Sequence, residues 1–144
     1  MFFVQTPQQV TILAQHDNDV RRIYLNVSHS ANPKPSWYGE SVGRYENGAL
    51  LIDTIAFNDK TFVDNYRTPH TDKLHVAERW KLAEGGKMLE TEFTVDDPGT
   101  FVAPWSGIQS YRRVQEMMGE QVCAENNTGA VFDYHIPVAD KPDF

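Results

Sequence analysis

The stretch that decides the fold is Leu74–Asp96, LHVAERWKLAEGGKMLETEFTVD. Apolar and polar residues alternate on both sides of Gly85-Gly86, the period of a strand whose successive side chains point to opposite faces. Glycine accepts positive φ without a Cβ clash, so the pair suits a tight hairpin turn. With the two glycines as the loop, Glu84 faces Lys87, Leu82 faces Leu89, Trp80 faces Thr91, Glu78 faces Phe93 and Val76 faces Val95. Directly opposed residues share a face. One face then carries Leu74, Val76, Trp80, Leu82, Leu89, Thr91, Phe93 and Val95, with one carboxylate, Glu78, among them. The other pairs Lys81 with Glu90, Arg79 with Glu92 and His75 with Asp96, which reads as a solvated surface.

The same pattern recurs upstream. Phe2 to Gln5 is a short strand, and Trp37 to Phe57 is a second hairpin around Asn47-Gly48, a strong type I′ signal. Its register sets Tyr45 against Leu50, Gly43 against Ile52, Ser41 against Thr54 and Gly39 against Ala56. That face is uncharged and small. The opposite face holds Glu40, Arg44, Glu46 and Asp53 but also Tyr38, Val42, Leu51, Ile55 and Phe57, so a loop or a second copy in a homodimer is expected to cover it. Gln9 to His16 and Val20 to Val27 form a third hairpin. A turn at Asn18-Asp19 puts Val10, Ile12, Ala14, Ile23 and Leu25 on one face, with His16 and Arg21 near the turn. Ile108 to Met117 and Gln121 to Glu125 read as further strands, and the tail from Gly129 as irregular.

Short turns at 18–19, 47–48 and 85–86 alternate with long connections at 28–37, 58–73 and 97–107. In an up-and-down meander, alternate connections lie at opposite ends. The expected fold is therefore all-β, a single lipocalin-like (calycin-like) antiparallel barrel of about eight strands spanning residues 1–144 as one domain. Tight turns would close one end, long loops would rim a mouth at the other, and Gly39, Ser41 and Gly43 would leave space inside.

With 144 residues, 40% hydrophobic and 12% aromatic, the chain is large enough for a real core. A formal charge of −7 excludes nucleic acid and anionic membrane surfaces as main partners. No stretch approaches the ~20 apolar residues of a membrane span. The single cysteine, Cys123, rules out an internal disulfide. Read as it begins, the chain is expected to be cytoplasmic, or exported if an N-terminal segment was removed.

Trp37-Tyr38-Gly39-Glu40-Ser41-Val42-Gly43-Arg44-Tyr45-Glu46, Leu51-Ile52-Asp53-Thr54, Pro69-His70-Thr71-Asp72 and Leu74-His75-Val76-Ala77-Glu78-Arg79 form a distinctive set. Together with Phe57-Asn58-Asp59-Lys60, Asp96-Asp97-Pro98, Pro104-Trp105 and Cys123-Ala124-Glu125-Asn126, they resemble a bacterial family of mostly uncharacterised, mostly exported proteins. The resemblance covers most of the chain and implies relatedness rather than a mechanism.

Candidate chemistry starts from Glu78. A buried carboxylate must be neutralised, paired or hydrogen-bonded. If desolvation dominates, its pKa rises toward the range where it works as acid or base. If Arg21 is its counter-ion, the pair is structural. Tyr45 and His16 are the candidate proton or hydrogen-bond donors. Arg21, Ser41, Thr54, Trp80, Thr91 and Phe93 would line the interior, and His70 would reach over the mouth from its loop. The spacing of His70, Asp72 and His75 fits no metal motif, so no metal and no cofactor are expected. Asp53 points outward, toward Arg44 or a loop.

These residues suggest a cofactor-independent acid–base enzyme, of isomerase, lyase, hydratase or cyclase type, acting on a small, largely apolar molecule inside the barrel. The alternative is a non-catalytic lipocalin-like binder of a lipophilic molecule.

Overall fold

A computed structural model describes residues 1–14 and 19–115. Within them the chain forms strands β1 (Phe2–Gln5), β2 (Gln9–Ala14), β3 (Asp19–Leu25), β4 (Glu40–Glu46), β5 (Ala49–Ile55), β6 (His75–Ala83), β7 (Met88–Asp96) and β8 (Trp105–Arg112). They make one sheet in chain order, curled into an open half-barrel. Among the described residues β1 and β8 are its two edges. Among the described residues no helix is long and apolar enough to cross a membrane.

The deciding hairpin has the register its alternation dictates. Trp80 pairs with Thr91, Glu78 with Phe93, Arg79 with Glu92 and Lys81 with Glu90. The turn is a short 3-10 segment, Glu84–Gly86, in which Glu84, Gly85 and Gly86 all take positive φ. Leu82 keeps the expected face but is exposed. In the β4–β5 hairpin, Asn47 and Gly48 have φ of 50° and 73°, as a type I′ turn requires. The pairs Tyr45–Leu50, Gly43–Ile52 and Ser41–Thr54 follow. Gly39 lies outside the strand, and its expected partner Ala56 is itself at positive φ.

Three expectations change. In the β2–β3 hairpin Ala14 pairs with Asp19, and Arg21 lies opposite Ile12. The shift is even in register, so every side chain keeps its face. The largest change is that β3 and β4 are parallel, Ile23 beside Ser41 and Leu25 beside Gly43. A parallel neighbour needs a connection that travels back along the strand. Residues 26–39 make that journey. The meander is therefore broken once. Turns 6–8, 47–48 and 84–87 sit at one end, and the long connections 56–74 and 97–104 at the other. β8 begins at Trp105, inside the stretch expected as loop. The strand expected at Gln121 to Glu125 lies outside the described residues.

The curl brings β1–β3 over β6. Val10, Ile12, Ile23, Leu25, Leu50, Ile52 and Trp80 form the core on the concave face. Burying each such side chain contributes roughly 1.5–3 kcal/mol. Phe3 meets Trp80 edge-on at 5.9 Å, and Trp80 stacks on Tyr111 at 6.1 Å. The small positions do not leave a hollow. A Cβ on Gly43 would lie 2.8 Å from Ile23 Cγ2, so Ile23 occupies the space that the glycine vacates.

Candidate functional site

The concave face holds the expected carboxylate and its counter-ion. Arg21 on β3 spends its guanidinium fork on β6: Nη1 donates to Glu78 Oε1 at 3.1 Å and Nη2 to Glu78 Oε2. Nη2 also donates to Thr54 Oγ1 at 2.9 Å, and Nε to Ser41 Oγ at 3.3 Å. Trp80 Nε1 adds a third donor to Glu78 Oε1 at 3.2 Å. Ser41 and Thr54 can sit under the pair because β4 and β5 register them opposite each other, and their hydroxyls touch at 2.9 Å. The side chains of Arg21 and Glu78 retain 22% and 10% of their exposure. Bidentate charge-assisted bonds are strong and directional. Proton transfer at Glu78 would first have to break them, so the geometry is that of a fixed cross-sheet ion pair.

The remaining sequence candidates are spread apart. Tyr45 is exposed and its hydroxyl donates to Gln5 Oε1 at 3.0 Å, which ties β4 to β1. Thr91 is buried with no hydrogen-bond partner for its hydroxyl among the described residues. Its small side chain lies on β7 between β6 and β8, where the Trp80 and Tyr111 rings stack. Phe93 packs on Gly107 and meets Trp105 edge-on at 5.8 Å. His70 is buried in its own loop. Its Nε2 meets Thr61 Oγ1 at 2.6 Å and its Nδ1 meets the Thr71 carbonyl at 2.8 Å. Both ring nitrogens are thereby committed to loop structure. His16 lies outside the described residues.

Tyr111 was not singled out from sequence. Burial, then the nearby Glu78 charge, pushes its phenol above the ordinary value.

A cavity of about 910 Å³ lies on the other face. It crosses β4–β8 at the level of one registered row, Gly43, Ile52, Glu78, Phe93 and Gly107. On either side of that row, Val42, Arg44, Leu51, Asp53, Ala77, Arg79, Glu92, Thr94, Ser106 and Ile108 contribute to the lining. None of Val10, Ile12, Ile23, Leu25 or Trp80 lines it, so it is a groove on the outer face and not a hollow in the core. Asn26, Val27 and Ser28, at the start of the returning 26–39 connection, form a wall. A loop therefore covers part of the half-apolar outer face.

Asp53 in this groove is the centre of a four-residue network. His29 Nε2 lies 2.7 Å from Asp53 Oδ2, and His75 Nε2 lies 2.6 Å from Asp53 Oδ1. His29 Nδ1 lies 3.0 Å from Glu40 Oε1. Glu40 also accepts from the Ser30 amide at 2.7 Å and the Ser30 hydroxyl at 2.6 Å. Those Ser30 bonds, with help from His29, hold the Glu40 carboxyl below its ordinary value. Burial works to raise Asp53, but hydrogen bonds from His75 and His29 outweigh it and lower its pKa. In the tautomer with its hydrogen on Nε2, His75 donates to the Asp53 carboxylate and its Nδ1 carries the lone pair. The side chains of His75 and Asp53 are 42% and 44% exposed; Asp53 lines the cavity, and His75 lies beside it, outside the lining. Among the described residues no group of three or more His, Cys, Asp or Glu is disposed to hold a metal ion.

Sequence reading placed Asp53 and His75 outward but did not join them. Their meeting requires the β5–β6 register, Asp53 opposite Ala77, and 19 residues of loop hide that register. His29 and Glu40 were missed. The one available signal was a histidine inside a polar loop next to an outward acidic face. No protein-family model, curated protein or solved structure matches the chain.

Proposed function

We propose that the chain is an acid–base enzyme for a small molecule held in the outer groove, with His75 as the proton-transferring group and Asp53 as the carboxylate that orients it. Proton transfer of the isomerase or lyase kind needs a positioned base, an orienting partner and partial exclusion of water, and no external cofactor. The observation that carries the reading is Asp53 in the groove wall holding His75 by Nε2 at 2.6 Å. His29 and Glu40 act behind Asp53 and keep its second oxygen occupied. Glu78, locked to Arg21, stabilises the sheet behind the groove.

A generic base reaction tests this before any natural substrate is known. In the ring opening of 5-nitrobenzisoxazole a base removes the ring C–H proton, the N–O bond breaks, and a coloured cyanophenolate forms. The rate with the protein should exceed that of free imidazole at equal concentration. His75→Gln should abolish the excess and Asp53→Asn should reduce it. An excess that survives His75→Gln refutes the assignment. The second reading, a binder without chemistry, is favoured by His29, whose two ring nitrogens both face carboxylate oxygens. It predicts ligand-induced amide shifts at Ala77 and Thr94 with no rate excess.

A further inference from the structure

Resting on that reading of the groove, we infer that its ligand is an organic monoanion, a carboxylate on an apolar body, and that Arg79 receives the charged end. Arg44, the other cation in the cavity lining, is matched with Glu46 at 3.0 Å; elsewhere on the sheet Arg21 pairs with Glu78 and Lys81 with Glu90 at 3.1 Å, while Arg22 and Arg112 make no ion pair among the described residues but lie outside the lining. Arg79 stands directly opposite Glu92, yet it makes no ion pair or hydrogen bond among the described residues. It is half-buried and lines the cavity. A partly desolvated guanidinium with no direct ion-pair partner has its donors unused, and its planar fork matches a carboxylate with two parallel bonds.

The surroundings define the rest of the ligand. Val42, Leu51, Ala77 and Ile108 give the groove an apolar floor beside Arg79. Asp53 and Glu92 line the same groove and repel a second negative charge, so a monoanion is preferred over a dianion. Along β6 on this face, Ala77 lies about 7 Å and His75 about 13 Å from Arg79, at strand rise per residue. Ala77 is paired with Asp53. A molecule with its carboxylate on Arg79 therefore reaches the Asp53–His75 pair with a body of about six to eight heavy atoms in extended form.

Hexanoate and 1-hexanol are the probes, because they share the body and differ in the charge. Calorimetric titration gives the affinities, and amide shifts at Ala77 and Thr94 show whether binding is in the groove. Hexanoate should bind at least tenfold more tightly than hexanol. Arg79→Gln should bring the ratio to near one, Arg79→Lys should keep part of it, and Lys81→Gln should leave it unchanged. If both probes shift the groove amides with equal affinity, or Arg79→Gln preserves the preference, the anion assignment is wrong while the groove reading stands. If neither probe shifts those amides, both fall.

Discussion

Removing Glu78 should destabilise the protein far more than removing Glu78 and Arg21 together. In Glu78→Leu, Arg21 keeps its bonds to Ser41 and Thr54 but loses both carboxylate oxygens. Breaking one side of a buried pair costs about 3–5 kcal/mol. Arg21 retains 22% of its side-chain exposure, so water relieves part of that. A loss of about 3 kcal/mol is expected, equivalent to roughly 10 °C in Tm for a chain of this size. Arg21→Met should cost about as much, because Glu78 would then keep only Trp80 as donor. The double variant replaces two charges by apolar groups of similar volume and should lie within ~1 kcal/mol of wild type. Urea unfolding of the four proteins, read as midpoint shifts at constant m, measures the cycle. Additive losses, or single losses below ~1 kcal/mol, would show that the pair is not coupled across the interior, and would reopen Glu78 as a free carboxylate.

Three other expectations concern the frame around the groove. Asp97 is buried and accepts from the Thr71 amide and hydroxyl, the Gly99 amide and the Thr100 hydroxyl. Burial opposes its ionisation, but those bonds prevail and bring its pKa down to about 2. A depressed carboxyl contributes stability above its unfolded value, about 3.9, and loses it as pH falls toward 2. The contribution at neutral pH is on the order of 2–3 kcal/mol, and the acid limb of urea midpoints in Asp97→Asn should be flatter than in wild type between pH 4 and 2. Gly43→Ala would drive a methyl to 2.8 Å from Ile23 Cγ2 and 2.9 Å from the Leu51 carbonyl. Calorimetric unfolding should show a loss of about 1–3 kcal/mol from overpacking. Glu40→Gln gives up the ionised acceptor of the Ser30 amide, so hydrogen exchange there should quicken about tenfold. Unchanged protection would mean that the Glu40 charge does not hold this part of the connection in place.

How far the sequence could be read depended on turns. The Gly85-Gly86 and Asn47-Gly48 hairpins were legible pair by pair, because a short turn with positive φ leaves one register. Asp17-Asn18-Asp19 offered several turns, so Arg21 was placed beside His16 when it belongs opposite Ile12. Its face was still right, because alternation fixes faces even where the turn is ambiguous. That sufficed to suggest Arg21 as the partner of Glu78. The parallel β3–β4 pair was not legible. Serines, prolines and asparagine at 28–36 read as an ordinary polar loop, and nothing local tells a loop that turns back from one that runs the length of a strand. The Asp53 network was hidden for the same reason: His29 lies in that connection and His75 beyond a second long one.

The returning connection also explains why the groove lies where it does. Had β3 and β4 been joined by a tight antiparallel turn, the outer face of β4–β6 would be an open sheet surface. Instead, residues 26–30 lie across it, with Ser28 in the wall and His29 on Asp53 and Glu40. The inner face carries the packed core and the Arg21–Glu78 ion pair. The outer face keeps a half-exposed Asp–His pair, and Arg79 without a partner among the described residues. Alternation along each strand separates the two tasks. A change at Gly43, Ile52 or Glu78 should be read first in stability; on the proposed reading, a change at Asp53, His75 or Arg79, on the opposite side of the same strands, is read first in ligand binding.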